Sequence, residues 1–217
     1  MKKVCWFDTE TTGLNAYKND VIQLACIIEI DKKEVAKQEF FMRPFDFDTI
    51  EPKALAVNGR TVEELKTFPN PKEALGDIQE FLGEYVDKYA KGDKFHPAGY
   101  NVSFDIDFLK NFWRKCGDTF FGSWFNYKAI DPMQFLHSLD ARGILSLSSY
   151  KLVDVCKFFD IPLGNAHNAL ADIEATKKLM DFLGSCFSFD AEILCEGGYG
   201  KLCKRRGQSS VETLADR

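Results

Sequence analysis

Ile22, Leu24, Cys26, Ile28 and Ile30 alternate along residues 20–31, and Asp31-Lys32-Lys33 is all that separates them from a second extended run, residues 34–44. A period of two read across so short a turn predicts an antiparallel hairpin with one face of the first strand in a core. A further strand is expected at residues 3–8, short ones at 95–100 and 127–130, and helices at 70–90, from Ser103, and at about 132–140, 148–159 and 168–183. The order β-β-β-α-β-α-β-α, strands early and helices late, predicts an α/β fold: a mixed sheet with helices on both faces.

The chain supplies the core this needs. Of 217 residues 45% are apolar, and 20 are Phe. The net charge of −5 argues against a protein that coats duplex nucleic acid, so any contact with nucleic acid must be local. The apolar stretch ahead of Asp8 is too short for a signal peptide, and no run of about eighteen apolar residues suggests a membrane span. Seven cysteines without a C-x-x-C pair read as reduced thiols in a cytoplasmic protein. After residue 184 the chain turns Gly-rich and basic, which divides it into a domain at 1–183 and a tail at 184–217 containing Lys201-Leu-Cys-Lys-Arg-Arg-Gly207.

The acids are placed where acids cost most. Asp8 and Glu10 follow Val4-Cys5-Trp6-Phe7 and, two residues apart on a strand, leave the same face. Taken alone they read equally as acids in a turn. Asp105, however, shares a helical face with Phe108, Leu109 and Phe112, Ser103 being the expected N-cap. Asp107 falls on another face, as a solvated acid. Asp172 shares a stripe with Ala169, Ile173, Thr176, Leu179 and Met180, while Glu174, Lys177 and Lys178 take the outer side. A carboxylate on a core-facing stripe is costly unless it is paired or metal-bound. If the four converge, each like-charged pair costs about 4 kcal/mol at 4 Å and an effective dielectric near 20. Hard divalent cations, Mg²⁺ or Mn²⁺, suit carboxylate oxygens, and two such ions form the clamp used for in-line phosphoryl displacement. Of the three histidines, His96 and His137 read as structural or surface residues. His167, just ahead of the helix that carries Asp172, is placed to take a proton from an attacking water.

Together these segments resemble a family. Phe7-Asp-Thr-Glu-Thr-Thr-Gly-Leu14, Asn101-Val-Ser-Phe-Asp-Ile-Asp-Phe-Leu109 and His167-Asn-Ala-Leu-Ala-Asp172 are similar to the three motifs of the DEDDh 3′–5′ exonucleases. That family includes the proofreading epsilon subunit of bacterial DNA polymerase III, ribonuclease T and oligoribonuclease. The resemblance runs through 50–65 and 148–170 and spans roughly residues 3–183. It implies a ribonuclease H-like fold with a mixed five-stranded sheet and helices on both faces. It also implies two Mg²⁺ or Mn²⁺ ions: Asp8 shared by both, Glu10 and Asp172 completing one site, Asp105 supporting the other, and His167 as general base. Asn168 stands where the tyrosine branch of the superfamily has Tyr, which favours the histidine branch. By the same analogy Thr12 and Leu14 line the pocket for the 3′-terminal base, Asn101 contacts the terminal nucleotide, and Phe104 is a stacking surface or a core residue. Tyr100 and Asn58 occupy positions where the family often has His.

The expected activity is release of nucleoside monophosphates from 3′ ends of single-stranded DNA, with a proofreading role and a DNA polymerase partner reached through the tail. Two alternatives stand beside it. One is an exoribonuclease of the ribonuclease T or oligoribonuclease type, which would be a homodimer. The other is an inactive nucleic-acid-binding or polymerase-docking module, against which the presence of all four acids and His167 argues.

Overall fold

A computed structural model describes residues 1–164 and 168–196, with side chains of the last helix described as far as residue 186. Met1–Leu179 form one compact unit and a second begins at Met180. The hairpin predicted from the alternation is present: β2 (Val21–Ile30) pairs antiparallel with β3 (Lys33–Phe41), with Asp31 and Lys32 both at positive φ in the turn. β1 (Lys3–Thr11) adds antiparallel to β2, and β4 (His96–Ala98) adds parallel to β1, giving the order β3-β2-β1-β4.

Two expectations change. β2 is buried on both faces from Val21 to Glu29 instead of on alternate residues, because β1 and β3 flank it and helices cover both sides. Among the described residues the sheet has four strands where five were expected. The run at 127–130 does lie along β4, touching it in parallel bridges at Phe95–Phe125 and Ala98–Ile130. Between those bridges it spends two more residues than its partner does, so no continuous ladder forms. An Asx turn, Lys128 N–H to Asn126 Oδ1 at 2.7 Å, takes up the slack.

Two helices, α1 (Pro52–Asn58) and α2 (Val62–Thr67), precede α3 (Pro71–Gly83), which opens with a capping box on Asn70 and Glu73. After β4 come α4 (Val102–Cys116), the short α5 (Phe121–Trp124), α6 (Pro132–Asp140), α7 (Leu152–Phe158) and α8 (Ala169–Glu196). α8 runs through Gly184, where the tail was expected to start. None of the described helices is long and apolar enough to cross a membrane.

The odd residues of β1, Cys5 and Phe7, join α3 and α4 in the main core through Ile78, Leu82, Phe108, Leu109 and Phe112. α8 crosses the opposite face, where Lys177 reaches Glu29 at 3.1 Å and Glu174 accepts from Lys37 at 2.8 Å. Lys177 and Glu174 were expected to point to solvent; lying across the sheet puts them over its charged rim instead. The two faces are thus covered by different helices.

Candidate active site

Strand alternation sends Asp8 and Glu10 to the α8 face of β1 and Thr9 to the α4 face. A register shift after Glu10 ends the regular β1–β2 ladder, so the two acids sit at its last paired positions, opposite Ala25 and Gln23. Beyond them the chain turns. Thr12 N–H donates to Asp20 O at 2.9 Å, and Thr12 Oγ1 accepts from Asp20 N–H at 2.9 Å.

Asp105 arrives from the first turn of α4 and is 3% exposed. Its helix begins at Asn101, which holds a left-handed conformation (φ 54°), and not at the expected Ser103. The cap comes from elsewhere in the chain: the Asp131 carboxylate accepts from the backbone N–H of Asn101 and of Val102, both at 3.1 Å. β4 feeds this start through Gly99, where a Cβ would stand 2.7 Å from Phe7 O. Asp172 lies in the first turn of α8, half-buried, and the Asn168 side chain caps that turn by accepting from Ala171 N–H at 3.1 Å.

Asp8 and Glu10 feel the neighbouring acids. Burial, then the charges of Asp105, Glu10 and Asp172, hold the Asp8 carboxyl well above the usual carboxylate range. Burial, then Asp172 and Asp105, push Glu10 up to about 7, with Arg60 acting in the opposite sense. Burial also lifts Asp105 to about 7, although the Thr9 hydroxyl and amide favour its ionised form. Across from them the Cys156 thiol of α7 is raised to about 11 by burial and by Asp172.

Among the described residues no three His, Cys, Asp or Glu side chains are grouped so as to hold a metal ion as they stand. Like charges facing each other in a poorly solvated corner keep apart. The donor set nevertheless fits one kind of ion. It is all carboxylate oxygen, and burial raises the proton affinity of Asp8, Glu10 and Asp105, a cost to their ionised forms that a hard divalent cation would offset.

The substrate-binding expectations sit as follows. Thr12 is fully buried, its hydroxyl engaged with Asp20, whereas Leu14 is 81% exposed on the same turn. Asn101 is exposed at the head of α4; Phe104 is half-buried, 4.7 Å from Phe108 between ring centres. His167 lies outside the described residues. His96 Nδ1 approaches Lys128 O at 3.2 Å and His137 packs on Tyr150, both away from the acids in role, as the sequence suggested. Three residues that sequence reasoning passed over belong to the site's frame: Thr9, Asp131 and Arg60. Thr9 carried a signal, being wedged between the two acids of the strand; Asp131 and Arg60 act across contacts no spacing reveals.

The exonuclease family designated RNase T matches residues 5–180. Among curated relatives, the PolC-type DNA polymerase III of Halalkalibacterium halodurans is 30% identical over 176 residues, covering 80% of this chain and 11% of the polymerase. The 3′-5′ exonuclease DinG of Staphylococcus epidermidis is 27% identical over 175 residues, covering 80% and 17%. The chain therefore spans well under a fifth of the length of these relatives. Among solved structures, E. coli exonuclease I in complex with a dT13 oligonucleotide superposes with a TM-score of 0.71 at 20% identity, over 87% of this chain and 43% of that one. This likeness establishes the ribonuclease H-like fold. Exonucleases of this type depend on divalent cations. The matched span takes in β2, β3 and β4, β1 from Cys5 onward, and the segments that carry Asp8, Glu10, Asp105 and Asp172, and the chain belongs to the exonuclease family.

Proposed function

We propose that residues 1–183 form a 3′–5′ exonuclease domain that removes nucleoside monophosphates from single-stranded DNA ends, using two Mg²⁺ or Mn²⁺ ions. The observation that carries this reading is the convergence of acids from three separate elements on one strand end, where, after burial, the charges of Asp105, Glu10 and Asp172 raise Asp8 and those of Asp172 and Asp105 raise Glu10. Asp8, Glu10, Asp105 and Asp172 would hold the ions, whose charge stabilises the phosphorane-like transition state of in-line displacement.

The chain's own residues do the rest. Thr9 fixes Oδ1 of Asp105 through two hydrogen bonds, which leaves Oδ2 as the oxygen that would serve an ion. Glu10 and Asp8 stay side by side because the β1–β2 ladder holds them. His167 takes the proton of the attacking water at an imidazole nitrogen, and a neutral ring is required for that. Leu14, held outward on a turn anchored by Thr12, supplies an apolar surface for the terminal base; Asn101 and Phe104 flank the head of α4 on the substrate side. The polymerase relatives support a proofreading role; a cytoplasmic setting and a DNA polymerase partner reached through residues 184–217 are part of the same proposal.

The test is a time course on 3′- and 5′-end-labelled single-stranded DNA and RNA of equal sequence, with Mg²⁺, with Mn²⁺ and with EDTA. Metal-dependent shortening from the 3′ end, faster on DNA, is expected. Faster RNA cleavage would replace the substrate assignment. No cleavage of either strand by protein that still binds Mn²⁺ would remove the enzyme reading.

A further inference from the structure

Arg60 follows Gly59, the left-handed residue (φ 68°) that ends α1, and its backbone N–H donates to Leu55 O at 3.2 Å. Its guanidinium is held on two edges and a face. Nη2 donates to Gln23 Oε1 at 3.0 Å, and Nη1 donates to the Glu64 carboxylate. The group lies over the rings of Phe41 and Phe68, 5.3 and 5.8 Å from their centres. Gln23 is itself fixed: it is 2% exposed, and its Nε2 donates to Glu39 Oε1 at 2.7 Å, which leaves the amide oxygen turned to Arg60. Gln23 is also the direct cross-strand partner of Glu10. Opposed residues of an antiparallel pair project from the same face about 5 Å apart. The positive charge of Arg60 thus stands one side chain away from the Glu10 end of the carboxylate cluster.

A guanidinium bound in this way is no arm for substrate, since swinging out would forfeit two hydrogen bonds and two ring faces together. It acts through its field. A fixed cation beside clustered carboxylates favours their ionised form in the absence of metal, and opposes the arrival of a divalent cation. Glu64, partly exposed and paired with Nη1 of the guanidinium, partly neutralises that charge. We propose that Arg60 is a positioning residue for the Glu10 side of the site, a built-in counter-charge that sets how tightly the cluster holds its divalent cation, with Glu64 as its trim. This rests on the metal-site reading above and adds a determinant that reading lacks.

Field and packing roles part company in the sign of their effects. Isothermal titration of Mn²⁺ into the full chain at pH 8 is the measurement, made on the wild type and on the R60M, R60K and E64Q variants, each checked for fold by circular dichroism. Removing the cation in R60M should tighten Mn²⁺ binding at least about threefold. E64Q, which strips Arg60 of its neutralising partner, should loosen binding by about twofold or more. R60K keeps the charge and should stay within about twofold of the wild type. Folded R60M with unchanged or weaker binding overturns the proposal, as does a shift of R60M and E64Q in the same direction. Should R60M not fold, E64Q decides alone: unchanged or tighter binding overturns it. A wild-type chain that binds no Mn²⁺ overturns the metal-site reading as well, whereas wild-type binding that neither variant moves overturns only the role of Arg60.

Discussion

Thr9 and Asp105 meet through a single oxygen: the Thr9 backbone N–H and side-chain hydroxyl both donate to Asp105 Oδ1, at 2.9 and 2.7 Å. One residue of β1 thereby orients an acid contributed by a helix on the other face from Asp8 and Glu10. Thr9→Val keeps the backbone donor and the strand-compatible branched shape but deletes the hydroxyl. Loss of a hydrogen bond to a carboxylate should cost about 1.5–3 kcal/mol of stability at neutral pH. Partners that aim a ligand typically matter tenfold or more for metal affinity, so cleavage should fall by roughly tenfold to a hundredfold. Thr9→Ser should restore most of both. A Thr9→Val enzyme with wild-type kcat/KM would mean that Asp105 needs no such aim.

The raised proton affinities have a defined consequence for stability. Glu10 and Asp105 move from ordinary values of 4.5 and 3.8 to about 7 on folding. Between about pH 4 and 7 the folded state therefore binds more protons than the unfolded state, and stability contributed by these groups falls as pH rises through that window. A bound divalent cation replaces the protons and offsets the loss. The rise in Tm on replacing EDTA with Mn²⁺ should accordingly be larger at pH 8 than at pH 6, a comparison that thermal melts at two pH values provide. An equal rise at both would count against ligation by these acids.

What could be read from the sequence and what could not divides along contact range. Asp105 and Asp172 stood out because helical periodicity is a local property, and an acid on an apolar stripe is visible within eight residues. Asp8 and Glu10 likewise needed only the period of a strand. The helix start at Asn101 was hidden, because its cap is the carboxylate of Asp131, thirty residues away, and local rules favour Ser103. The missing fifth strand was hidden for a related reason: residues 125–130 have strand-like composition, but whether they keep step with β4 depends on the length of the partner, three residues long. Arg60 could not be singled out at all, since its place beside Glu10 is made by Gln23 of β2, Phe41 of β3, Glu64 of α2 and Phe68 at the end of α2.

Asp8→Asn separates function from stability. The amide has nearly the same shape, yet it removes an ionisable group whose proton affinity is raised by burial and then by Asp105, Glu10 and Asp172. Without metal at pH 8 the variant should be more stable than the wild type, by about 1 kcal/mol or more, because a buried like-charge repulsion is gone. Its cleavage rate should drop at least about a thousandfold, as expected when charge stabilisation at a transferring phosphoryl group is lost. Chemical denaturation in EDTA and single-turnover cleavage in Mg²⁺ measure the two. Asp172→Ala should match it in lost activity, and near-wild-type cleavage by either variant would remove these acids from the reaction.

Gly99, just after β4, lies against both β1 and the head of α4. A methyl group added there would lie 2.7 Å from Phe7 O and 3.1 Å from Val102 Cγ2, one contact on the strand that leads into Asp8 and the other on the first residue of the helix that carries Asp105. The position is buried and its N–H donates to Ile130 O at 3.2 Å, so β4 cannot retreat without losing a bond at the sheet edge. Gly99→Ala should therefore force the backbones apart and cost about 1–3 kcal/mol, the usual penalty for overpacking. Because α4 moves with that displacement, Asp105 would shift from Thr9 and activity should fall beyond what the lost stability explains, measured at a temperature where the variant remains folded. Gly122→Ala is the control: nothing lies within 4 Å of a Cβ at that site. It should leave both quantities near wild type, and a Gly99→Ala variant equally benign would show that the close approach of β1 to the head of α4 does not fix the distance between Asp8 and Asp105.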